Sequence, residues 1–171
     1  MSNTSRRRRP SARAAGKATS VGDGISGLEA HLGYWLRFVS NHVSHAFKVK
    51  VERHGVTVAE WVVMRALFDE NGIKPSHLSE KIGLTRGAIS KLLERLATKG
   101  LVVVRSDVTD GRAQVITLSA SGLRLVPKLA ALADENDTET FGHLKEKQRA
   151  MLFSTLKSIV DHLGLGSTPV D

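Results

Sequence analysis

Apolar residues recur through most of the chain at intervals of three and four, the spacing of one face of an α-helix. The first run is Leu28, Leu32, Trp35, Leu36, Val39, Val43, Phe47 and Val51. It predicts a long helix from Ser26 to about His54, closed by Gly55, with a stripe broader than one contact face requires. Thr57-Val-Ala-Glu60 has the spacing of a capping box, and Val56 and Trp61 are placed to staple it. The second helix then runs to about Glu70, with Trp61, Met64, Leu67 and Phe68 apolar and Asn71-Gly72 as its stop. Pro75 to Ile82 is a short amphipathic segment ending at Gly83. A fourth run puts Ile89, Leu92, Leu93 and Leu96 on one stripe, between a cap at Thr85 and a left-handed terminator at Gly100.

The period then changes. Leu101-Val-Val-Val104 is β-branched and predicts a strand, and Gln114-Val-Ile-Thr-Leu118 predicts a second. Arg105 to Arg112 lies between them, with a turn signal at Asp110-Gly111. Helical spacing resumes after Ser119 or Ser121, either of which can cap a helix starting near Gly122 and carrying Leu123, Leu125, Val126, Leu129 and Leu132. Pro127 is expected in its first turns, where a missing amide costs little. The acid-rich stretch Asp134-Glu-Asn-Asp137 follows, the acids over 134–139 read as a solvated turn, and Gly142 reads as a break. A last helix from about Lys145 to Leu163 carries Met151, Leu152, Phe153, Leu156, Ile159, Val160 and Leu163, too much apolar surface to leave wet.

Two short helices joined by a Gly-containing turn form a helix-turn-helix, whose second helix is the one that enters a DNA major groove. A following hairpin with a charged tip makes it a winged helix. The expected fold class is therefore mainly α (α+β). A winged helix-turn-helix core over 55–121 sits inside a domain spanning 25–163. The flanking helices, 25–54 and 122–163, form a helical dimerisation region.

Composition narrows the chemistry. There are no cysteines among the 171 residues, which excludes disulfides, thiolate metal sites and thiol redox switches. Net charge is +8, but six positive charges fall in the acid-free first 20 residues, leaving +2 for residues 21–171. Local distribution is the stronger signal. Residues 81–112 hold Lys81, Arg86, Lys91, Arg95, Lys99, Arg105 and Arg112 against Glu94, Asp107 and Asp110, the footprint of a phosphate-binding surface. Residues 1–24 read as a disordered basic tail and 164–171 as a flexible C-terminus. No stretch approaches the roughly 20 apolar residues of a membrane span, and no apolar segment follows Arg6 to Arg9 as a secretory signal would need, so a cytoplasmic protein is expected. No Gly-rich phosphate loop or cysteine nucleophile points to an enzyme, and none is expected.

Residues 57 to 122 resemble the MarR family of bacterial winged-helix regulators. The matching residues are Leu78-Ser-Glu-Lys-Ile-Gly-Leu84, Leu92-Leu-Glu-Arg-Leu96, Lys99-Gly-Leu-Val102, Asp110-Gly-Arg112, Ile116-Thr-Leu118-Ser119 and Gly122, with Ser119 where the family more often has Thr. The resemblance implies a transcriptional regulator, usually a repressor, that binds pseudo-palindromic double-stranded operator DNA as a homodimer and answers a small ligand.

From the residues and the resemblance together, Arg86, Gly87, Ser90 and Lys91 are candidates for groove contacts, and Ser76 and Thr85 for phosphates at helix N-termini. Arg105 belongs to the same surface. Arg112 resembles the family's wing arginine, which enters the minor groove, with Asp110 orienting it. The resemblance also implies a pocket between the first, second and fifth helices. Trp35, Phe38, His42, Trp61 and Arg65 are its candidate lining, suited to an aromatic acid or phenol. Dimerisation is assigned to Leu28, Leu32, Leu152, Phe153, Leu156, Ile159, Val160 and Leu163. His42 and His45 are one turn apart, a spacing that suits a metal, but no companion carboxylate is evident; no metal and no cofactor are expected. A metal-responsive regulator and a winged helix used only for protein contacts are the alternatives.

Overall fold

The computed structural model describes residues 25–70, 72–106 and 114–166. The basic tail over 1–24, Asn71, the Asp110-Gly111 turn with Arg112, and residues 167–171 lie outside the described residues.

Three caps legible in the sequence fix where helices begin. Thr57 Oγ1 accepts from the Glu60 backbone N–H at 3.2 Å, while Glu60 Oε2 accepts from the Thr57 N–H at 2.7 Å. This reciprocal box starts α2, Val58–Asp69. Thr85 accepts from the Ala88 N–H at 3.2 Å and starts α4, Arg86–Thr98. Ser119 accepts from the Gly122 N–H at 3.0 Å and starts α5, Ala120–Phe141. Between α2 and α4 lies α3, Pro75–Ile82, ended by Gly83 at φ 77°. Ser79 locks the turn by donating its hydroxyl to Leu84 O at 2.6 Å.

Helix α4 ends by a Schellman arrangement: Gly100 N–H reaches Ala97 O, and Leu101 N–H reaches Leu96 O, both at 2.9 Å. Leu101 therefore closes the helix instead of opening the strand. β1 is Val102–Ser106, shifted from the expected 101–104, and pairs antiparallel with β2, Gln114–Leu118. Val102 faces Leu118 and Val104 faces Ile116. Ile73 adds an isolated bridge to Ile116, through two backbone hydrogen bonds of 2.9 and 3.1 Å.

The core lies under this sheet. Val63, Met64 and Leu67 from α2 meet Leu78 and Ile82 from α3, Ile89, Leu92, Leu93 and Leu96 from α4, Ile116 and Leu118 from β2, and Val126 and Leu129 from α5. Gly122, in the first turn of α5, sits against Leu101, the residue between α4 and β1. A Cβ there would come within 2.2 Å of Leu101 O, so only glycine permits the approach.

Three expectations need correction. The first helix, α1, is Leu32–Glu52; a 3-10 turn over Leu28–Ala30 and an extended His31 precede it. Gly27 and Gly33 make that stretch a poor helix, and it is exposed, so little packing opposes the break. Pro127 is well past the first turn of α5, so its missing N–H removes an interior bond to Leu123 O. Both residues are exposed, which leaves that carbonyl to water. The acidic stretch 134–137 is not a turn: α5 runs through it to Phe141, because Asn136 faces α1 while Asp134 and Glu135 face solvent.

The last helix, α6, is Glu146–Leu163. It buries no residue and has no substantial packing against any described element. Among the described residues, no helix is long and apolar enough to cross a membrane.

Candidate nucleic-acid interface and adjoining cavity

The N-terminal half of α4 presents Arg86, Gly87, Ser90 and Lys91 to solvent, opposite the stripe that enters the core. Among the described residues, Arg86 and Lys91 have no ion-pair partner. Ser90 donates its hydroxyl to Arg86 O at 3.0 Å and keeps its lone pairs outward. A Cβ on Gly87 would meet nothing within 4 Å, so the surface there is open to close approach. Thr85 is exposed at the N-terminus of α4, where free N–H groups and the helix dipole favour an anion. Ser76 is half-buried in the first turn of α3, and Arg105 is exposed on β1. Asp110 and Arg112 lie outside the described residues.

The other cations of residues 81–112 behave differently. Lys81 pairs with Glu70, which His77 also approaches at 3.5 Å. The hydrogen bond from Lys81 holds the Glu70 carboxyl below the ordinary carboxylate range. Lys99 Nζ donates to both oxygens of Glu60, at 2.8 and 2.7 Å, and to Gly55 O at 2.8 Å. Arg95 Nε stands 3.6 Å from Glu60 Oε1. Glu60 is 0% exposed. Burial pushes its pKa up, but the Lys99 ammonium and the Thr57 N–H more than reverse this, so the carboxyl is held below its ordinary value. One carboxylate thus caps α2 and ties it to the C-terminal end of α4. Lys99 and Arg95 belong to this tie, not to the free cationic face. Sequence spacing gave no sign of a pair 39 residues apart.

On its other side, the first turns of α2 border a cavity of about 310 Å³ between α1, α2 and α5. Val43, Ser44, Phe47, Val58, Trp61, Val62, Ala133, Asn136 and Asp137 line it. Phe47 and Trp61 meet edge to face, with centroids 6.4 Å apart. Asn136 is 3% exposed and donates Nδ2–H to Val43 O at 3.2 Å, while its Oδ1 has no partner.

Of the ligand residues expected from sequence, the structure places Trp61 at this cavity and the others elsewhere. Trp35, Phe38 and His42 lie further toward the N-terminus of α1 and are exposed, with Trp35 and Phe38 clustered around Tyr34. Arg65 faces solvent, paired with Asp69 and lying 5.8 Å from the Phe68 ring centroid. The reason is position along the axis: Arg65 is one turn beyond Trp61 on the same side of α2, but the cavity closes around the first turns of α2, where Val58, Trp61 and Val62 converge. Asn136 was missed. Its signal was its register, since it continues the stripe of Leu129, Leu132 and Ala133, where an apolar residue would be expected. Among the described residues, no three His, Asp or Glu side chains gather as a metal site.

The residues assigned to dimerisation all stand open in the single chain. Leu32 is 88% exposed and Phe153 70%, and Leu28, Leu152, Leu156, Ile159, Val160 and Leu163 are also exposed. Leu152, Phe153 and Leu156 line an apolar groove of about 510 Å³ between α6 and the end of α5, where Arg149 pairs with Asp137.

Residues 54–113 match the sequence profile of the MarR family. The transcriptional regulator HosA of Escherichia coli is 25% identical over 117 residues, which cover 68% of this chain and 87% of that protein. Two solved structures share the fold. One is BpsR of Bordetella bronchiseptica, whose DNA binding is regulated by 6-hydroxynicotinic acid. Its TM-score is 0.70 at 24% identity, covering 81% of this chain and 99% of that one. The other is MepR of Staphylococcus aureus in complex with DNA, with a TM-score of 0.69 at 22% identity, covering 77% of this chain and 98% of that one.

Proposed function

We infer the function from one premise: the chain belongs to the MarR family of winged helix-turn-helix transcriptional regulators. We propose that it acts as a homodimeric repressor in the cytoplasm, binds pseudo-palindromic operator DNA, and is released by a small aromatic ligand. The observation that carries the DNA reading is the division of cations on α4. Lys99 and Arg95 are turned to Glu60, while Arg86 and Lys91 stand free beside the open backbone of Gly87. A helix tip that is small, cationic and open is suited to a major groove. Ser76 and Thr85 are assigned to phosphates, Arg105 to the wing's backbone contacts, and Arg112 with Asp110 to the minor groove.

Dimerisation is supported by the exposed apolar faces of α6 and the N-terminal half of α1. Leu28, Leu32, Leu152, Phe153, Leu156, Ile159, Val160 and Leu163 form the proposed interface. Pairing there brings two α4 helices to successive major grooves, about 34–36 Å apart. The ligand reading rests on the cavity against α2, and the regulation of BpsR by 6-hydroxynicotinic acid makes a small effector reasonable. Trp61 is its aromatic wall.

The test is a gel shift on DNA upstream of the protein's own gene, repeated across salt concentrations. Preference for one fragment over random duplex, with affinity falling steeply as salt rises, is the expected result. Equal binding to both at moderate ionic strength overturns the regulator reading.

A further inference from the structure

Glu60 is a buried, ionised carboxylate that none of the assigned DNA contacts uses. The Thr57 N–H, at the junction of α1 and α2, reaches its Oε2 at 2.7 Å. Lys99 Nζ, at the end of α4, reaches Oε1 and Oε2 at 2.8 and 2.7 Å and also donates to Gly55 O at 2.8 Å. The C-terminal end of α4 is thereby held to the segment between α1 and α2. Arg86, Gly87, Ser90 and Lys91 occupy the other half of the same helix. At about 1.5 Å per residue, Arg86 is about 20 Å from Lys99 along the axis. A tilt of roughly 5° about Lys99 therefore moves Arg86 by roughly 2 Å, more than a hydrogen bond to a base edge tolerates. Roll about the axis matters as well. With about 3.6 residues per turn, Arg95 and Lys99 flank one side of the stripe of Ile89, Leu92, Leu93 and Leu96, and Arg86 and Ser90 flank the other. Apolar burial keeps the stripe inside but has no preferred angle, whereas charge-assisted hydrogen bonds have one.

Resting on the DNA-binding reading above, we propose that Glu60 and Lys99 are positioning residues for operator recognition: their ion pair sets the tilt and roll at which α4 meets base edges. Neither touches DNA. Arg95, more than half exposed, is a weaker second strut on the same carboxylate. The pair acts on the contacts that read sequence and not on those that meet phosphates. Without it, α4 still presents a cationic face to any duplex, because Arg86 and Lys91 keep their charge. What is lost is alignment with one set of base edges over others. Removing Lys99 alone strands a buried carboxylate. Removing both charges together does not, so the double change weakens the fold less.

The experiment compares two probes by fluorescence anisotropy on the full chain: a duplex that the wild type selects from a random pool, and a scrambled duplex of the same composition. The variants are Lys99→Met, Lys99→Arg, and Glu60→Gln combined with Lys99→Met, in which the glutamine keeps an acceptor for the Thr57 N–H. Leu129→Ala, buried in α5 with no substantial packing on α4, is the control for lost stability alone. All are measured at a temperature at which each is folded by circular dichroism. Lys99→Met and the double variant should lose about tenfold of the preference for the selected duplex, the scale of one good base contact. Binding to the scrambled duplex and the salt slope should not change. Lys99→Arg, which keeps the cation, should retain most of the preference, and Leu129→Ala all of it. Should Lys99→Met fail to fold, the double variant against Lys99→Arg makes the same comparison. The proposal is overturned if the double variant keeps the preference, if Lys99→Arg loses as much as the double variant, or if Leu129→Ala loses it equally. It is also overturned if the salt slope falls, which would put Lys99 on a phosphate. A wild type with no preference for any selected duplex overturns the DNA-binding reading itself, whereas a preference that every variant shares overturns only the positioning role.

Discussion

Helices α4 and α6 are both amphipathic, each with an apolar residue every three or four positions. Ile89, Leu92, Leu93 and Leu96 of α4 are buried, whereas Leu152, Phe153, Leu156, Ile159 and Val160 of α6 are exposed. The difference is in what surrounds each helix. α4 is held by α2, α3 and β1. α6 lies beyond the end of α5 and, among the described residues, has no substantial packing beside the groove that it lines with Phe141 and Asp137. A helical stripe shows that a face will be covered. It does not show whether the cover comes from the same chain or from a second copy. α1 repeats the contrast along its own length: Val51 is buried in the core, and Leu32, Trp35 and Leu36 are bare.

The contrast can be broken from either side. Deepest in the closed region, Leu96→Ala is expected to cost about 2–5 kcal/mol of unfolding free energy, measured by denaturant titration, because Leu96 is fully enclosed. A cost under 1 kcal/mol would mean that this core is not packed as described. On the open side, Leu156→Glu with Ile159→Glu should convert a dimer into a monomer by light scattering at micromolar protein. The wild-type melting temperature should rise with protein concentration, and that of the variant should not. A monomeric wild type would refute the interface.

Next in size is the tie between the two sides of α2. Glu60→Gln keeps an acceptor for the Thr57 N–H but leaves Lys99 and Arg95 without their charge partner, and about 1–3 kcal/mol of stability should be lost. The pH dependence has a definite sign. The folded Glu60 carboxyl is held below its unfolded value, so its contribution is present above the unfolded carboxylate pKa and is lost as pH falls through the lower, folded value. The variant should therefore show a shallower acid loss of stability than the wild type; an identical acid slope would remove Glu60 as its cause.

Arg86→Ala should weaken DNA binding by about 1–3 kcal/mol and reduce the salt slope by about one ion. Lys99→Met lowers stability but leaves that slope unchanged, since Lys99 is turned inward to Glu60. An equal change in slope for both would place Lys99 on the DNA. The smallest effect is expected from Lys81→Ala: its pair with Glu70 is at the surface, and such changes fall within about 0.5 kcal/mol by thermal denaturation.

Local chemistry alone determined a good deal. The caps at Thr57 and Thr85, the left-handed glycines at 83 and 100, and the second strand, Gln114–Leu118, fall where the chain pattern places them, and of the two candidate caps for α5 the structure uses Ser119. Each depends on residues within a few positions of one another, so the signal is in the spacing. The tertiary structure decided what depends on distant partners. It turned Lys99 and Arg95 toward Glu60 and left Arg86 and Lys91 free, a distinction invisible in charge counts. It carried α5 through the acidic stretch because Asn136 docks on α1, and it closed the cavity around Val58, Trp61 and Asn136 instead of His42 and Arg65. Periodicity reports a residue's phase on its own helix. Which neighbour meets that phase is set by how the helices cross, and that is a property of the whole fold.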